Sequence, residues 1–308
     1  MSLNSKVEII IPTLNEEQSI GELLKIIHAK KFPFEVSVLV IDGGSKDNTV
    51  DICKKENVLV IRQRGKGKGI AMREAAEYSK SDIIVFIDGD GTYSIDDLES
   101  LVVPVLNDKC DMVIGSRISG KREKGSISTL NAIGNKVFNR SINFAMKSNV
   151  TDSLSGYRAM RREMFTDLIL FSDSFEIEVE MTVEALAKGY RLIEVPISYK
   201  NRRNSKTKLN PLEDGAKISR TLLFILMNVN PLKFFGIIGI AFFLVGLYPG
   251  TLVVYEKITT GNVISMPSVV FSALLFMTGS ISIVVGLLSE LVVRSRRRIE
   301  YLLASKKK

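Results

Sequence analysis

The hydrophobic pattern of residues 1–120 alternates between short runs rich in Val and Ile and longer amphipathic stretches. The apolar runs are nearly continuous, which is typical of strands buried on both faces of a parallel sheet. They predict strands over residues 7–12, 36–41, 58–61, 83–87 and 112–114. The stretches between them predict helices over residues 17–29, 47–56, 70–79 and 95–105. The expected fold class is therefore α/β, with a Rossmann-like, mostly parallel sheet and helices on both faces.

The C-terminal third of the chain has a different pattern. Residues 234–255 carry no charge, and a second apolar run over 267–293 is interrupted only by Glu290. At about 1.5 Å per helical residue, each run can cross a hydrocarbon core of about 30 Å. We expect a two-helix transmembrane hairpin. The alternative is a pair of buried core helices, which rarely run this long without a charge.

The distribution of charge predicts an orientation for this hairpin. The formal net charge is +8, and the surplus is concentrated on both sides of the apolar runs. Lys217, Arg220 and Lys233 precede the first run, and residues 294–308 hold seven basic residues against Glu300. The positive-inside rule then places both termini in the cytoplasm, with the plasma membrane of a prokaryote as the expected location. A basic tail at a membrane exit favours lipid headgroups over nucleic acid.

These patterns predict four segments. Residues 1–210 would form the α/β domain, 211–230 an amphipathic interface helix, 231–293 the two membrane helices and 294–308 a basic cytoplasmic tail. The interface helix has the alternative of an ordinary helix that closes the domain. The N-terminus lacks the apolar core of a signal peptide, so the first segment is expected in the cytoplasm.

Carboxylates follow three of the predicted strands. Asp88 and Asp90 come directly after the strand 83–87, Asp42 follows the strand 36–41, and Glu16 lies just beyond 7–12. In open α/β sheets, ligands bind beyond the carboxyl ends of the strands. Two carboxylates one residue apart suit Mg²⁺ or Mn²⁺ shared with a substrate diphosphate, although Asp and Gly are also common turn residues.

The motifs at these positions, taken together, resemble those of the family 2 glycosyltransferases with a GT-A fold. Within that family, the sequence resembles the group of dolichol-phosphate mannose synthases and polyprenyl-phosphate glucosyltransferases. In the order of that family the segments are IIIPTLNEE (9–17), IDGGSKDNT (41–49), GKGKGIA (65–71), FIDGDGTY (86–93), GSR (115–117), TDSLSGYRAMRR (151–162) and EVPISYKNRRNSKTKL (194–209). They extend over about residues 6–215, and the joint match is much more specific than any single segment.

The resemblance implies roles for individual residues. Donor binding would fall to Pro12, Leu14, Glu16, Asp42, Asp88, Asp90 and either Arg202 or Arg203. Asp88 and Asp90 would hold the metal, Mg²⁺ or Mn²⁺. Arg117 and Arg158 would face the acceptor phosphate, and Asp90, Arg117 and Glu178 would be the catalytic group. Glu178 lies between Glu176 and Glu180, and the alternative for these three acids is a solvated acidic face.

Two positions depart from the family's pattern. Many relatives have a Gln two residues after the second Asp of the metal motif, where this chain has Thr92. Some relatives have an Arg shortly before the segment Gly134-Asn135, where this chain has Asn131 and where Lys136 would be the substitute. The metal preference and one acceptor-phosphate contact are therefore open.

The implied reaction is an inverting transfer of mannose or glucose from GDP-mannose or UDP-glucose to dolichyl or polyprenyl phosphate. A phosphate monoester is largely dianionic at neutral pH, so it needs cations near it more than a general base. Membrane lipids are further expected partners, and glycines in the apolar runs suit a homo-oligomer packed through the membrane helices. The alternatives are another glycolipid or polysaccharide acceptor, or a catalytically inactive membrane scaffold. The chain has no Trp, which disfavours the Q-x-x-R-W motif of processive relatives.

Overall fold

The computed structural model describes residues 6–121, 123, 129–201, 216, 220, 223, 227 and 230–305. It divides into two compact units, Met1–Leu222 and Leu223–Lys308. The first unit contains a mixed α/β fold, and the second contains two long helices. Arg202, Arg203 and the side chain of Asn131 lie outside this description.

The strands of the first unit lie close to the predicted runs. They are β1 (Lys6–Thr13), β2 (Glu35–Asp42), β3 (Leu59–Arg62), β4 (Ile83–Phe86), β5 (Met112–Ser116), β6 (Arg158–Arg161) and β7 (Leu192–Pro196). The helices are α1 (Ile20–Ala29), α2 (Thr49–Lys55), α3 (Lys68–Tyr78), α4 (Leu98–Leu106), α5 (Thr129–Met146), α6 (Arg162–Asp167) and α7 (Ile177–Ala187). The five predicted strands of residues 1–120 are thereby confirmed.

The described strands form one sheet in the order β3-β2-β1-β4-β6-β5-β7. β1 pairs in parallel with β2 and β4, and β5 pairs in parallel with β7. β6 is antiparallel to both of its neighbours, and its first residue, Arg158, pairs with Phe86 at the carboxyl end of β4. The residues that precede β6 therefore reach the same edge of the sheet as the residues that follow β4.

Alternation along β1 shows how the sheet is covered. Ile9 and Ile11 pack in one apolar cluster with α1 and α4, whereas Ile10 packs in a second cluster with α3 and α7. Successive strand residues point to opposite faces, so one continuous Ile run supplies both layers. Each of these three side chains is fully buried. Burying a side chain of this size contributes about 1.5–3 kcal/mol.

Two predicted helix boundaries were wrong. The first helix begins at Ile20 rather than at residue 17, because Asn15 adopts a left-handed conformation with φ of 53° and the chain turns there. The predicted helix 95–105 consists of a 3₁₀ turn, Ile95–Asp97, followed by α4. In that turn the hydroxyl of Ser94 accepts a hydrogen bond from the N–H of Asp96.

The second unit contains two apolar helices, Pro231–Thr260 and Met266–Ser305. Each includes an 18-residue window of mean hydropathy 2.2, of which only 17% is buried. The helices pair with each other: the Ser272 hydroxyl donates to the carbonyl of Gly246 at 2.9 Å, and the Ser282 hydroxyl to that of Phe235 at 2.8 Å. Their length and exposed apolar surface fit membrane spans better than buried core helices.

Small residues bring these helices close together. A Cβ atom on Gly239 would lie 2.8 Å from the Gly279 carbonyl oxygen, and one on Gly246 would lie 3.1 Å from Leu275. A Cβ on Gly286 would lie 3.0 Å from Phe235. These glycines, which suggested packing between copies of the chain, are thus used inside the hairpin itself.

The predicted interface helix 211–230 lies mostly outside the described residues. The described positions Ala216, Arg220, Leu223 and Met227 are helical. The amphipathic character of the whole segment, like the boundaries of the four predicted segments, stays a prediction.

Candidate active site

The loops after β1 and β2 are tied to each other at the carboxyl edge of the sheet. The backbone N–H of Asn15 donates to the Ser45 hydroxyl at 2.8 Å, and the Asn15 side chain accepts from the N–H of Lys46 at 2.8 Å. Asn is one of the few residues other than Gly that tolerates the left-handed conformation found here. The two loops therefore form one rigid wall of a crevice.

This wall carries four residues that are expected to bind the donor: Pro12, Leu14, Glu16 and Asp42. Leu14 is 43% exposed, and Pro12 is partly buried at the end of β1. The Glu16 carboxylate accepts a hydrogen bond from the Ser19 hydroxyl at 3.4 Å, and its own backbone N–H donates to the Thr49 hydroxyl at 2.8 Å. An exposed apolar side chain beside a fixed carboxylate suits a planar base and a ribose hydroxyl.

Asp42 holds its own loop. Its carboxylate is 3% exposed by residue and accepts hydrogen bonds from the backbone N–H groups of Gly44, at 2.9 Å, and Ser45. The turn places Gly44 at a φ of 89°, a backbone conformation that residues with a side chain rarely adopt. The structure thus gives Asp42 a role in shaping the loop beside the role in base binding that the resemblance implies.

Asp88 and Asp90 lie at the centre of the crevice, after β4. The intervening Gly89 has no room for a side chain, since a Cβ there would lie 2.9 Å from Thr13. One Asp90 carboxylate oxygen accepts hydrogen bonds from the hydroxyl of Thr92, at 2.7 Å, and from its backbone N–H, at 3.1 Å. Thr92 is 3% exposed. Where many relatives are expected to place a metal-binding Gln, this chain therefore has a residue that orients Asp90.

Lys68 connects the crevice to the interior. Its ammonium group forms an ion pair with Asp88 and a second one with Glu178, at 2.7 Å from Oε1. The Lys68 side chain is 10% exposed. Burial alone would lower the pKa of Lys68, but the charges of Asp88 and Glu178 outweigh it and raise the pKa above its ordinary value. Lys68 is therefore a fixed positive charge at neutral pH.

Glycines on either side of Lys68 fix its position at the start of α3. Gly67 has a φ of 109°, and a Cβ on Gly67 or Gly69 would collide with the backbone carbonyls of Asp173 and Ser172. The N–H of Gly69 donates to the Asp173 carbonyl at 2.9 Å. The GKGKGIA segment can thus approach the loop before α7 only because it lacks side chains at these positions.

The three acids of residues 176–180 lie at the start of α7, and the alternative of a solvated acidic face was wrong. Glu178 is 2% exposed and Glu180 is 8% exposed. Glu180 accepts hydrogen bonds from the N–H groups of Phe171 and Ser172, at 3.0 and 2.8 Å. Glu178 contacts Lys68, as described above. One acid thus shapes a loop and another holds a cation.

Arg117 follows β5 and is held by Asp152. The Nε and Nη2 atoms of Arg117 donate to the two carboxylate oxygens at 2.9 and 2.7 Å, and its backbone N–H donates to the same group at 2.9 Å. Asn135 of α5 donates to Asp152 at 3.0 Å. Burial would raise the pKa of Asp152, but Arg117 outweighs it and holds the pKa below its ordinary value. The Arg117 side chain keeps 15% of its surface exposed.

The position of Arg158 does not support the acceptor-phosphate role expected of it. Its side chain is fully buried, and its guanidinium donates to the Ser155 and Ser153 carbonyls and to the Thr182 hydroxyl. Burial lowers the pKa of Arg158 to about 10, with Glu178 and Asp152 opposing the shift. The physical reason is its place in the sheet, because the first residue of β6 points into the interior. Arg158 supports the loop before β6.

A group of tyrosines joins these parts. The ring of Tyr199 lies 5.4 Å from the Arg117 guanidinium and 5.2 Å from the ring of Tyr93. The Tyr93 hydroxyl accepts from the N–H of Gly156 at 3.0 Å. A Cβ on Gly156 would lie 2.8 Å from the Lys68 ammonium and 3.0 Å from the Asp88 carboxylate. The loop before β6 therefore lies directly against the Lys68–Asp88 pair.

The chain beyond β7 is anchored beside the metal motif. The N–H of Lys200 donates to the Thr92 carbonyl at 2.8 Å, and Tyr199 forms an isolated bridge with Tyr93. The N–H of Ser198 donates to Asp97 at 2.7 Å. Arg202 and Arg203 follow this anchor but lie outside the described residues, so their expected contact with the diphosphate stays a prediction.

The family model described as glycosyl transferase family 2 matches residues 8–169, which is more than half of the chain. The chain belongs to glycosyl transferase family 2. Glycosyltransferase AglJ of Haloferax volcanii is 37% identical over 302 residues, covering 96% of this chain and 97% of that protein. A dolichyl-phosphate hexose transferase of the same organism is 34% identical over 70% of this chain and 91% of its own length. These matches confirm the family inferred from the motifs.

Solved structures give the fold of this family 2 member independently. Glucosyl-3-phosphoglycerate synthase of Mycobacterium tuberculosis matches with a TM-score of 0.60 at 20% identity, over 72% of this chain and 80% of that one. Its complex with Mn²⁺, UDP and glucosyl-3-phosphoglycerate matches with a TM-score of 0.59 at 21% identity, over 72% of this chain and 79% of that one. The predicted GT-A fold, with its Rossmann-like, mostly parallel sheet, is thereby confirmed.

The residues of the crevice fit a divalent metal of the kind that accompanies a nucleotide. Asp88 and Asp90 offer hard oxygen ligands, and neither is fully buried. Among the described residues, no group of three or more His, Cys, Asp or Glu side chains converges on one point. Mg²⁺ and Mn²⁺ are commonly held by one or two carboxylates with substrate phosphates and water. A pair of carboxylates therefore fits a metal that is bound jointly by the protein and by substrate phosphates.

Sequence reasoning had assigned no role to Lys68 or Asp152, although both lie inside the quoted motifs. Asp152 precedes a strand instead of following one, and the antiparallel direction of β6 brings it to the crevice. Lys68 meets Glu178 across 110 positions of sequence, and no local pattern indicates such a pair. The available signal was a lysine flanked by glycines, which is typical of a backbone that approaches another surface closely.

Proposed function

We propose that this protein transfers a hexose from a nucleoside-diphosphate sugar to dolichyl or another polyprenyl phosphate at the cytoplasmic face of a membrane. The observation that carries the proposal is the grouping of Lys68, Asp88 and Arg117 about one loop. Gly156 of that loop contacts the Lys68–Asp88 pair and Tyr93, and Tyr199 joins Tyr93 to Arg117. Such a crevice can hold two phosphate-bearing molecules close together. The two apolar helices supply the membrane attachment that a polyprenyl acceptor requires.

The donor would bind along the wall formed by the loops after β1 and β2. Pro12 and Leu14 offer apolar surface for the base, Asp42 an acceptor for its N–H groups, and Glu16 an acceptor for the ribose. Asp88 and Asp90 would hold Mg²⁺ or Mn²⁺, which would neutralise the charge that develops on the leaving nucleoside diphosphate. Arg202 or Arg203 would add a cation at the same diphosphate.

The acceptor phosphate would face Arg117. A phosphate monoester with a second pKa near 6 is mostly dianionic at neutral pH, so it can attack the anomeric carbon without a general base. Asp152 fixes two guanidinium nitrogens of Arg117 and thereby orients the remaining one. Displacement from the face opposite the leaving group inverts the anomeric configuration. Glu178 then acts through Lys68 rather than as a proton acceptor.

The names of the relatives support the lipid acceptor but leave the sugar open. One relative in Haloferax volcanii is named a dolichyl-phosphate hexose transferase. A relative in Methanococcus voltae, 28% identical over 72% of this chain and 96% of its own length, is named a UDP-N-acetylglucosamine–dolichyl-phosphate N-acetylglucosaminyltransferase. We therefore propose hexose transfer, with GDP-mannose and UDP-glucose as the first donors to test and UDP-N-acetylglucosamine as the third.

Topology completes the proposal. Basic residues flank both ends of the apolar pair, so the catalytic unit and both termini would lie in the cytoplasm, with the short connection between the helices outside. Two identical chains packed through the hairpins would be compatible with this arrangement, and chemical crosslinking in membranes would detect them.

The test is a turnover assay with the full-length protein in liposomes that contain polyprenyl phosphate. Each donor is supplied with a radiolabelled sugar and with Mg²⁺ or Mn²⁺, and label is counted in the lipid phase. We expect label with one donor and its loss in Arg117→Ala. Thermal unfolding of the variant provides the control for folding.

Two results would contradict the proposal. If label reached a glycolipid or a polysaccharide but never polyprenyl phosphate, the acceptor would be wrong. If no donor were consumed while nucleotide still bound, the protein would be a membrane scaffold that retains the family's fold.

A further inference from the structure

The exposed face of α5 combines basic and apolar side chains. Lys136, Val137, Arg140, Phe144 and Lys147 are all exposed, with Val137 at 58% and Phe144 at 64%. At 100° per residue, the four positions within α5 fall within an arc of about 100°. Lys136 and Arg140 occupy one flank of this arc and the two apolar side chains the other. Lys147 lies one residue beyond the end of the helix at Met146. We call these five residues the α5 outer face.

The opposite side of α5 packs into the catalytic unit. Asn135, Asn139, Ile142 and Ala145 are buried there. The helix is also fixed at its C-terminal end, where the Asn143 side chain accepts from the N–H of Val150 at 2.8 Å and donates to its carbonyl at 2.9 Å. The α5 outer face is therefore held in one orientation by a rigid inner face.

The charge of this face indicates its partner. Residues 129–147 contain three basic residues and no acid. A protein partner of mixed charge would leave this excess partly unmatched, whereas an anionic lipid surface offers negative charge throughout. Helices that lie in a membrane interface combine Lys and Arg with Phe, Leu or other large apolar side chains in this way. A cluster of cations beside large exposed apolar groups is thus better explained by a bilayer than by solvent.

We propose that the α5 outer face docks on the surface of an anionic bilayer, with Val137 and Phe144 inserted at the headgroup level. The inference rests on the membrane attachment in the proposed function, but not on the identity of the sugar. It assigns membrane contact to the catalytic unit itself, in addition to the apolar helices and the segment 211–230.

The two faces of α5 then connect the bilayer to the crevice. The inner face holds Asp152 through Asn135, and Asp152 holds Arg117. Asn139 binds Asn135 at 2.8 Å and also contacts the Thr151 carbonyl. A helix that rests on the headgroups would thereby set the height of Arg117 relative to a lipid phosphate. The acceptor would not have to leave the membrane surface to react.

The test measures contact with lipid and does not require turnover. Phe144→Cys and Leu59→Cys are each labelled with an environment-sensitive fluorophore in the full-length protein and reconstituted in nanodiscs. Leu59 is a matched control, because it is 62% exposed on β3 at the other edge of the sheet. The native Cys53 and Cys110 are buried, and burial raises the pKa of each thiol to about 11, so they label poorly.

Doxyl-labelled lipids then report depth. We expect them to quench the label at position 144 at least about threefold more than the label at position 59, and more strongly in anionic than in zwitterionic nanodiscs. Absence of lipid quenching at position 144 would overturn the proposal, whether the label there were in water or against protein. Equal quenching at both positions would also overturn it, since it would show that the label alone seeks the bilayer.

Charge reversal separates docking from catalysis. Arg140→Glu with Lys147→Glu is compared with Lys54→Glu and Lys55→Glu on the exposed side of α2. Lys136 is left unchanged, because it is the expected substitute for an acceptor-phosphate contact. In the Arg140→Glu, Lys147→Glu variant, we expect the quenching at position 144 to be lost. We also expect its turnover on a long polyprenyl phosphate in bilayers to fall about tenfold. Turnover on a short, water-soluble acceptor should be retained. Equal loss on both acceptors would contradict docking, and no turnover by any form would contradict the proposed function alone.

Discussion

The two halves of the sheet treat charge differently. Around β1, β2 and β4, Asp90 lies in a loop and Asp42 is the last residue of β2, and both accept hydrogen bonds from residues that follow them within three positions. Around β5, β6 and α7, Asp152 and Glu178 are buried and form ion pairs with residues distant in sequence. The first half holds its acids through local hydrogen bonds, whereas the second holds Arg117 and Lys68 through buried carboxylates.

This difference implies that the halves respond differently to substitution. A loop carboxylate can be replaced at little cost to folding but at a high cost to ligand binding. A buried ion pair that loses one partner leaves an uncompensated charge, so its loss destabilises the fold as well. Lys68 is the residue that joins the halves, because it contacts Asp88 on one side and Glu178 on the other.

The largest effect is expected where the halves meet. Lys68→Met leaves Glu178 buried without its cation, which should reduce the free energy of unfolding by about 3–5 kcal/mol. Thermal and chemical unfolding in detergent provide the measurement. Adding Glu178→Gln should restore much of the stability but not the turnover, because the cation beside Asp88 is still missing. A stable single Lys68→Met variant would show that the pair does not join the halves.

Loss of a loop carboxylate should affect activity alone. Asp90→Ala removes an oxygen ligand for the metal and the diphosphate, so turnover should fall about 10²–10³-fold. The unfolding temperature should change little, since the described hydrogen bonds of Asp90 lie within its own loop. Label transfer into lipid and a melting curve on the same preparation test both parts. A large drop in the melting temperature would instead mean that Asp90 stabilises the fold, as the buried carboxylates Asp152 and Glu178 do.

Asp152→Asn tests positioning by a buried charge. Arg117 should lose its fixed orientation, with turnover falling about 10–100-fold, as is typical when a supporting residue is removed. The pKa of Asp152 is lowered in the folded state, so its stabilisation is present above the unfolded pKa of about 3.9 and is lost as the pH falls through the folded value.

The stability difference between wild type and Asp152→Asn should therefore be greatest near pH 7 and should shrink below about pH 4. Unfolding curves at a series of pH values measure it. A difference that stayed constant down to pH 2 would mean that the charge of Asp152 contributes nothing.

The smallest effect is expected at Thr92. Thr92→Val keeps the shape of the side chain and removes the hydrogen bond to Asp90, which is worth about 1 kcal/mol. We expect turnover at low metal concentration to fall about fivefold, with recovery at high Mg²⁺ or Mn²⁺. Thr92→Gln restores the residue expected in relatives, and a metal titration of the two variants shows whether position 92 orients Asp90 or binds the metal directly.

The half that presents groups to ligand was largely readable from sequence. Its strands are parallel, so the residues that follow them share one edge, and Asp42, Asp88 and Asp90 were found by that rule. In the other half, the family motifs added Arg117, which follows β5 at the same edge. The physical reason is that the carboxyl ends of parallel strands lie at one edge of the sheet. A residue that follows such a strand in the sequence is therefore already known to lie at the crevice.

The supporting half was not readable in this way. β6 runs against its neighbours, so the loop before it enters the crevice, and Arg158 begins the strand with its side chain in the interior. The burial of Arg158 therefore does not support the acceptor-phosphate contact that the resemblance implied for it. The Lys68–Glu178 pair depends on two segments that meet only in the folded chain. Burial and long-range pairing are properties of packing, which hydrophobic patterning alone does not specify.

The position of β7 has a consequence for biosynthesis. β7 is the last strand among the described residues and ends at Pro196, whereas the first apolar helix begins only at Pro231. Domains generally fold as units in the order in which the ribosome makes them. Every described strand of the sheet is therefore synthesised before either apolar helix, and the pairing of these strands involves neither helix. The sheet can form in the order in which its strands leave the ribosome, and the two apolar helices emerge after it.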